Sequence, residues 1–349
     1  MAILVLRITI MTRILFYICA SLLLILFTVI SAVSFGAANI SSGDVLSVLS
    51  QGLGFDSDVS EIKQRIILEL RIPRFILAFL TGAGLSLAGA VLQTVTRNPL
   101  ADPYLFGIAS GASFGAVLVI ASISAGVTGM AIGQIGITAG AFIGAAFSVL
   151  IVLTLSGRRV QIERMLLAGV AVSFMFSAGT SLVLYASDPD VSASLLFWTL
   201  GSFTRANWGN LLLPSCVIIG CLILFIGYAR ILKAVLAGDE TARTLGVNVT
   251  RLRMGMLLLS SLMTATLVAN TGGIGFVGLM IPHIVRRILH TRQQYLLLAC
   301  TLFGGIFMVW VDVVARTLVE NNELPIGVIT AAIGSVFFLM VLRKRSWID

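Results

Sequence analysis

The chain has 349 residues, of which 58% are hydrophobic and 11% charged, and it carries a formal net charge of +8. A soluble domain is about a quarter charged, so this composition excludes that class and predicts a protein embedded in a bilayer. An apolar run of about 20 residues crosses a bilayer core. Ten such runs can be counted, at about 14–35, 72–94, 104–122, 131–154, 164–186, 210–229, 254–271, 275–290, 295–316 and 325–343. The expected fold is all-α: one polytopic membrane domain over 1–349 with about ten transmembrane helices.

The first run follows Arg7 and Arg13, an arrangement shared by signal peptides and first membrane spans. It is longer than a signal core and many spans follow it, which favours a retained helix, although Ser31 to Ala38 has the small residues of a cleavage region. The second run begins in Arg71-Ile72-Pro73-Arg74. Proline suits the first turn of a helix, where its missing N–H is not needed, so a helix is expected to start near residue 72. That run ends in a polar turn, Arg97-Asn98-Pro99-Leu100-Ala101-Asp102-Pro103, before the third begins. Gly107, Gly111 and Gly115 in the third run, and Gly136, Gly140 and Gly144 in the fourth, repeat every four residues. Each set leaves a smooth stripe for close helix approach, expected within one bundle rather than at a dedicated dimer seam.

Further along, Ala237 to Gly246 forms the longest loop on the N-terminal side. Asp239 is expected to cap a helix of about two turns, with Glu240 in its first turn and Gly246 as a left-handed stop. A helix so short is not stable alone. Held between two spans it is either a knob for a partner's groove or a capped surface loop. Gly273-Ile274-Gly275-Phe276-Val277-Gly278 matches the dinucleotide pattern GxGxxG, but that pattern has meaning only between a strand and a helix. Between two apolar runs it reads as a glycine-rich break between packed helices. Asp312 and Arg316 stand four apart on one helical face and are expected to form an ion pair.

The charges supply the orientation. Ten spans put both termini on one side, where 17 of the 23 Lys and Arg residues fall; Lys63, Arg65, Arg71, Arg74, Arg205 and Arg316 make up the other six. By the positive-inside rule the termini are cytoplasmic, and the net charge needs no nucleic acid to explain it. Cys19, Cys216, Cys221 and Cys300 lie in apolar stretches without metal-site spacing, and His283 and His290 have no acidic neighbours. No metal, cofactor or catalytic cluster is expected. GxxxxGK[ST] does not occur in the chain, so this chain has no P-loop for nucleotide hydrolysis. A secondary transporter would carry buried ionisable residues for ion coupling, and the spans offer only Asp312.

Several stretches together resemble the FecCD/BtuC-like permeases of bacterial ATP-binding-cassette (ABC) importers for iron–siderophore complexes, haem and vitamin B12. They are RIPR with its glycine-rich span and RNPLADP (71–103), LLAGVA (166–171), GDETARTLGV (238–247), GGIGFVGLMIPHIVRR (272–287), DVVAR (312–316) and ELPIGVITAAIGSVFF (323–338). The resemblance runs from about residue 65 to 343. It implies a ten-helix subunit in the bacterial inner membrane that pairs with a second copy or a paralogue around a central pathway. Two cytoplasmic ATPases drive it, and a periplasmic binding protein delivers the cargo.

The resemblance also assigns residues. Gly238, Asp239, Glu240, Thr241, Ala242, Arg243, Thr244, Leu245 and Gly246 match the coupling helix that enters the ATPase groove. Arg71, Arg74 and Arg316 match external positions that meet glutamates of the binding protein; anchoring to lipid headgroups is the alternative. Asn98 matches an inner-gate position, with capping of the Pro99 turn as its alternative. Ile162-Glu163 stands where the vitamin B12 permease has small hydroxyl residues, a departure that counts against an identical gate and against B12. An iron–siderophore complex is the expected cargo, haem the next.

Overall fold

The computed structural model describes residues 21–36, 38–51, 59–126, 133–156, 162–289, 292–319 and 322–343. The chain forms helices α1 (Ser21–Ser34), α2 (Ser42–Gln51), α3 (Glu61–Thr96), α4 (Ile108–Ser124) and α5 (Gly133–Ser156). Next come α6 (Ile162–Ala186), α7 (Pro189–Thr199), α8 (Trp208–Gly227), α9 (Ala229–Leu236) and α10 (Asp239–Thr244). The last four are α11 (Val249–Thr271), α12 (Val277–Ile288), α13 (Gln293–Thr317) and α14 (Ile326–Arg343). No strand occurs among the described residues, because a bilayer leaves no water for unpaired backbone groups and the helix satisfies them internally.

Among the described residues, seven helices are long and apolar enough to cross a membrane: α3, α5, α6, α8, α11, α13 and α14. α1 and α4 are shorter apolar helices; the start of the first predicted run, residues 14–20, lies outside the described residues, as do 131–132 of the fourth. Over the run at 275–290 the structure has a helix of 12 residues, roughly 18 Å long at 1.5 Å per residue. The glycine-rich stretch before it supplies the rest of the path inside protein, where irregular backbone is tolerated. Residue 290 of that run, and with it His290, lies outside the description, as do Cys19 and, from the charge count, Arg7, Arg13, Arg158, Arg159, Lys344 and Arg345.

α3 is the axis of the bundle: 78% of its most apolar window is buried, against 22% for α6 and α14. The helix begins at Glu61, not at Ile72. Residues Ile66–Arg71 form a π turn that joins Pro73 to the preceding helix. In that register the Ile72 N–H reaches back five residues to Ile67 O, so the missing N–H of Pro73 would have gone to Leu68 O. That carbonyl instead accepts the Trp208 indole N–H at 2.9 Å. The proline is thus absorbed by one wide turn and one side chain, the usual cause and remedy of such bulges.

Glycines set how closely the helices approach. A methyl group on Gly111 or Gly115 of α4 would overlap the backbone of Gly144 or Gly140 in α5, and one on Gly82 or Gly89 of α3 would overlap Gly304 or Gly278. The stripes therefore face each other inside one chain, as expected from their spacing. Gly278, the last glycine of the GxGxxG match, packs on α3, and the break before it turns on Phe276 at φ +68°. It is a break between packed helices and has no strand beside it.

Candidate functional sites at the two ends of the central helix

The stretch Ile72–Thr96 of α3 runs 25 residues, about 37 Å, and a charged cluster sits at each end. At the Arg71 end the carboxylate of Asp312, itself 1% exposed, accepts from Arg74 Nε at 3.0 Å and Nη2 at 2.8 Å. It also meets Arg316 Nε at 3.2 Å, so the ion pair expected from the four-residue spacing is present. Arg74 turns its other edge to Glu323, with Nη1 and Nη2 each 2.8 Å from a carboxylate oxygen. These two planar forks use four of the five N–H donors of one guanidinium.

Arg71 has no carboxylate partner among these. It is buried and donates to Val33 O at 2.5 Å, Ser34 O at 2.8 Å and Ala38 O at 2.6 Å. Arg316 adds Ala32 O at 3.0 Å and Phe35 O at 3.1 Å. These carbonyls lie in and just after the last turn of α1, where a helix leaves acceptors unpaired and attracts cations. Gly36 admits the guanidinium: a Cβ there would stand 3.0 Å from Arg71 Nη2. All three arginines lie together, as their motifs predict, but their side chains point into the molecule. Glu323 is the exposed member, at 43%. It borders a cavity of about 240 Å³ that also takes in Trp198, Ser202, Arg205 and Asn270.

At the other end of α3, Arg97 closes the helix in the left-handed conformation, φ +51°. Its guanidinium lies 3.1 Å from Asp239. Arg253 grips the same carboxylate with two donors, at 2.8 and 2.9 Å, and gives its Nε to Val95 O at 2.9 Å. The expected capping by Asp239 is therefore corrected. The position before α10 belongs to Gly238 at φ +126°, and Asp239 is the first helical residue, its carboxylate drawn away by the two arginines. Gly246 follows at φ +81°, the left-handed stop that its position called for. Ala242 is the buried side of α10; Glu240, Thr241, Arg243, Thr244 and Leu245 are exposed, so α10 projects as a small anchored knob.

Beside it, the Asn98 amide oxygen accepts the Leu100 N–H at 2.9 Å, which is the turn-capping geometry. Asp102 is fully buried and accepts from Tyr104 N at 2.7 Å. Burial pushes its carboxyl up to about 6, against the lowering effect of that N–H. Between α3, α12 and α13 the Arg286 guanidinium donates to Gln93, to Ala90 O and to Thr94, and Gln293 also donates to Thr94. Sequence reasoning missed this cluster. Gln93 and Arg286 lie in separate runs 193 residues apart, and nothing in their spacing pairs them.

A family model described as the FecCD transport family matches residues 23–344. The chain belongs to that family. Among FecCD relatives, the cobalamin import system permease protein BtuC of Halobacterium salinarum is 40% identical over 289 residues, covering 82% of this chain and 76% of its own. The Fe(3+)-citrate import system permease protein YfmD of Bacillus subtilis is 37% identical over 314 residues, 89% of each chain. A solved ABC transporter assigned to the metal-chelate type, in an inward-facing conformation, superposes with a TM-score of 0.81 at 31% identity, over 95% of this chain and 99% of that one. The FecCD chain is thus a membrane permease of the ABC importer kind. Its relatives' names differ in cargo, cobalamin for one and Fe(3+)-citrate for the other.

Proposed function

We propose that this chain is the membrane-spanning permease subunit of an importer that carries an iron–siderophore complex from periplasm to cytoplasm by alternating access. Separate ATPase subunits supply the energy, and a second copy or a paralogue completes the pathway. The observation that carries the reading is the knob α10, tied through Asp239 to the ends of α3 and α11 by Arg97 and Arg253. A load on α10 passes through charge-assisted bonds into two packed helices, as a coupling helix requires. The chain's placement in the bacterial inner membrane is proposed from the importer family, and the distribution of Lys and Arg supports cytoplasmic termini. Haem, the alternative cargo, would use the same machine.

The binding protein is proposed to dock at the Arg71, Arg74 and Arg316 corner by exchange. Three guanidiniums against Asp312 and Glu323 leave one positive charge in excess, and Glu323 is the exposed acid. An incoming carboxylate would displace Glu323 from Arg74 while Asp312 holds the guanidinium in place. Opposite charges of this kind fix register and speed encounter. Asn98 is proposed to gate the inner mouth from its capped turn.

The test is uptake of ⁵⁵Fe-labelled siderophore into proteoliposomes containing the permease pair and its ATPases, with the binding protein added outside. ATP-dependent accumulation is expected. Accumulation that survives inactivation of the ATPase subunits would sink the reading, while transport of haem but not ferric siderophore would move the cargo and keep the machine.

A further inference from the structure

Most glycines brought together by these helices would collide with a neighbour if they carried a methyl group. Gly246 and Gly255 would not, for nothing stands within 4 Å of a Cβ at either. Both line a groove of about 580 Å³ between the end of α8 and the start of α11, a size within the 300–1,000 Å³ or so typical of ligand pockets. Its walls are apolar, including Leu224, Ile231, Met256 and Leu259, and its rim carries Tyr228 and Arg251. The far end closes where Cys221 Sγ comes within 3.9 Å of Leu259 O.

Depth and charge decide the occupant. Leu259 lies ten residues beyond Val249, so the groove climbs about 15 Å along α11. A water-soluble subunit resting on α10 does not reach that far into the bilayer, whereas an acyl chain does. At the mouth Arg251 and Tyr228 are exposed. Asp239 on the adjoining α10 is already held by Arg97 and Arg253, and Arg251 makes no ion pair with any described residue, Glu240 of α10 included, so its charge is open to a group outside the chain. A basic side chain at the mouth of an apolar groove between membrane helices matches an anionic lipid headgroup.

We propose that this groove is a binding site for one anionic phospholipid of the leaflet on the α10 side. One acyl chain lies along Leu224, Met256 and Leu259 over the bare backbone of Gly255, and the phosphate meets Arg251 and the Tyr228 hydroxyl. A lipid so placed braces the link between α10 and α11, since Gly246 and Gly255 leave that side without protein packing.

Native mass spectrometry of the full importer complex, equilibrated with dioleoyl-phosphatidylglycerol or dioleoyl-phosphatidylcholine, tests this. One phosphatidylglycerol per copy of this chain should be retained, about ten-fold over phosphatidylcholine. Gly255→Leu, which fills open space, should lose it, and Arg251→Ala should bind the two lipids equally. Gly220→Leu, also facing open space on α8 but outside the groove, should behave like the wild type and guards against a general folding effect. Equal retention by Gly255→Leu and wild type would overturn the site, and so would equal wild-type binding of the two lipids. A cross-link from Leu259→Cys to an ATPase subunit would replace the lipid with a protein occupant.

Discussion

The corner built on Asp312 sets up the sharpest prediction. Asp312→Asn keeps the shape of the side chain and removes the one charge shared by Arg74 and Arg316. The Asp312 side chain is 2% exposed, and those of Arg74 and Arg316 are 13% and 9% exposed, so solvent screens little of the loss. Breaking such a pair from one side leaves buried charge uncompensated and costs about 3–5 kcal/mol. Glu323 remains, but at 43% exposure its pair is of the surface kind, worth about 0–1 kcal/mol. Equilibrium unfolding of the detergent-solubilised protein, followed by tryptophan fluorescence, measures the difference. The expected order is a large loss for Asp312→Asn and a small one for Glu323→Gln. Replacing both partners, as in Arg74→Met with Asp312→Leu, should recover much of the loss, because an apolar pair carries no stranded charge. A loss below about 0.5 kcal/mol for Asp312→Asn would show that the corner is effectively solvated and would remove the case for its structural role.

Three further outcomes follow from other parts of the chain. Asp239→Ala frees α10 from Arg97 and Arg253 and should cost about 1–3 kcal/mol of local stability. Its larger effect should be on coupling: cargo-stimulated ATPase activity falls while basal hydrolysis persists, and unchanged stimulation would argue against α10 as the link. Gly89→Ala drives a methyl group into the Gly278 carbonyl and should destabilise by about 1–3 kcal/mol; Gly220→Ala, over open space, should be neutral or better, and equal effects in one denaturation series would contradict the packing. The last concerns pH. The Asp102 carboxyl, raised by burial to about 6 from 3.8, costs stability when charged. The native state holds the proton more tightly, so its contribution improves as pH falls through about 6 and levels off below about 4. Asp102→Asn should remove that part, of order 2–3 kcal/mol, and flatten the change in melting temperature between pH 7 and pH 5 relative to wild type; parallel profiles would refute it.

The helices that hydropathy marks were legible because a bilayer makes length and charge decisive. The glycine stripes of α4 and α5 were legible because a four-residue spacing has one geometric meaning on a helix. The Asp312–Arg316 pair was readable for the same reason. What lay hidden depends on distance in sequence. Arg74 meets Asp312 and Glu323 across more than 230 residues, and Arg253 meets Asp239 only because α11 starts beside α10. The helix that runs on through Pro73 was also invisible, since a local rule starts a helix at such a proline and the Leu68 carbonyl it leaves over is taken by a side chain from α8, far away in sequence. α2, α7 and α9 escaped notice because none is long enough to span. α9 buries Ala229, Leu232 and Val235 and exposes Arg230 and Lys233, a pattern that length-based counting ignores.

The two charged clusters are joined by one stiff element. Over Ile72–Thr96 every residue from Thr81 to Thr96 is buried, and Gly82 and Gly89 lock against backbone on α13 and the start of α12. Close-packed helices of this kind shift as bodies more readily than they bend. If α10 carries the load of the ATPases as proposed, a displacement of it passes through Asp239 to Arg97 and Arg253 and would tilt α3 as a whole. At its other end the same tilt would move Arg71 and Arg74, and with them the end of α1 and Glu323. On that proposal the carboxylates of Asp239 and Asp312 are the two anchors that must keep their arginines.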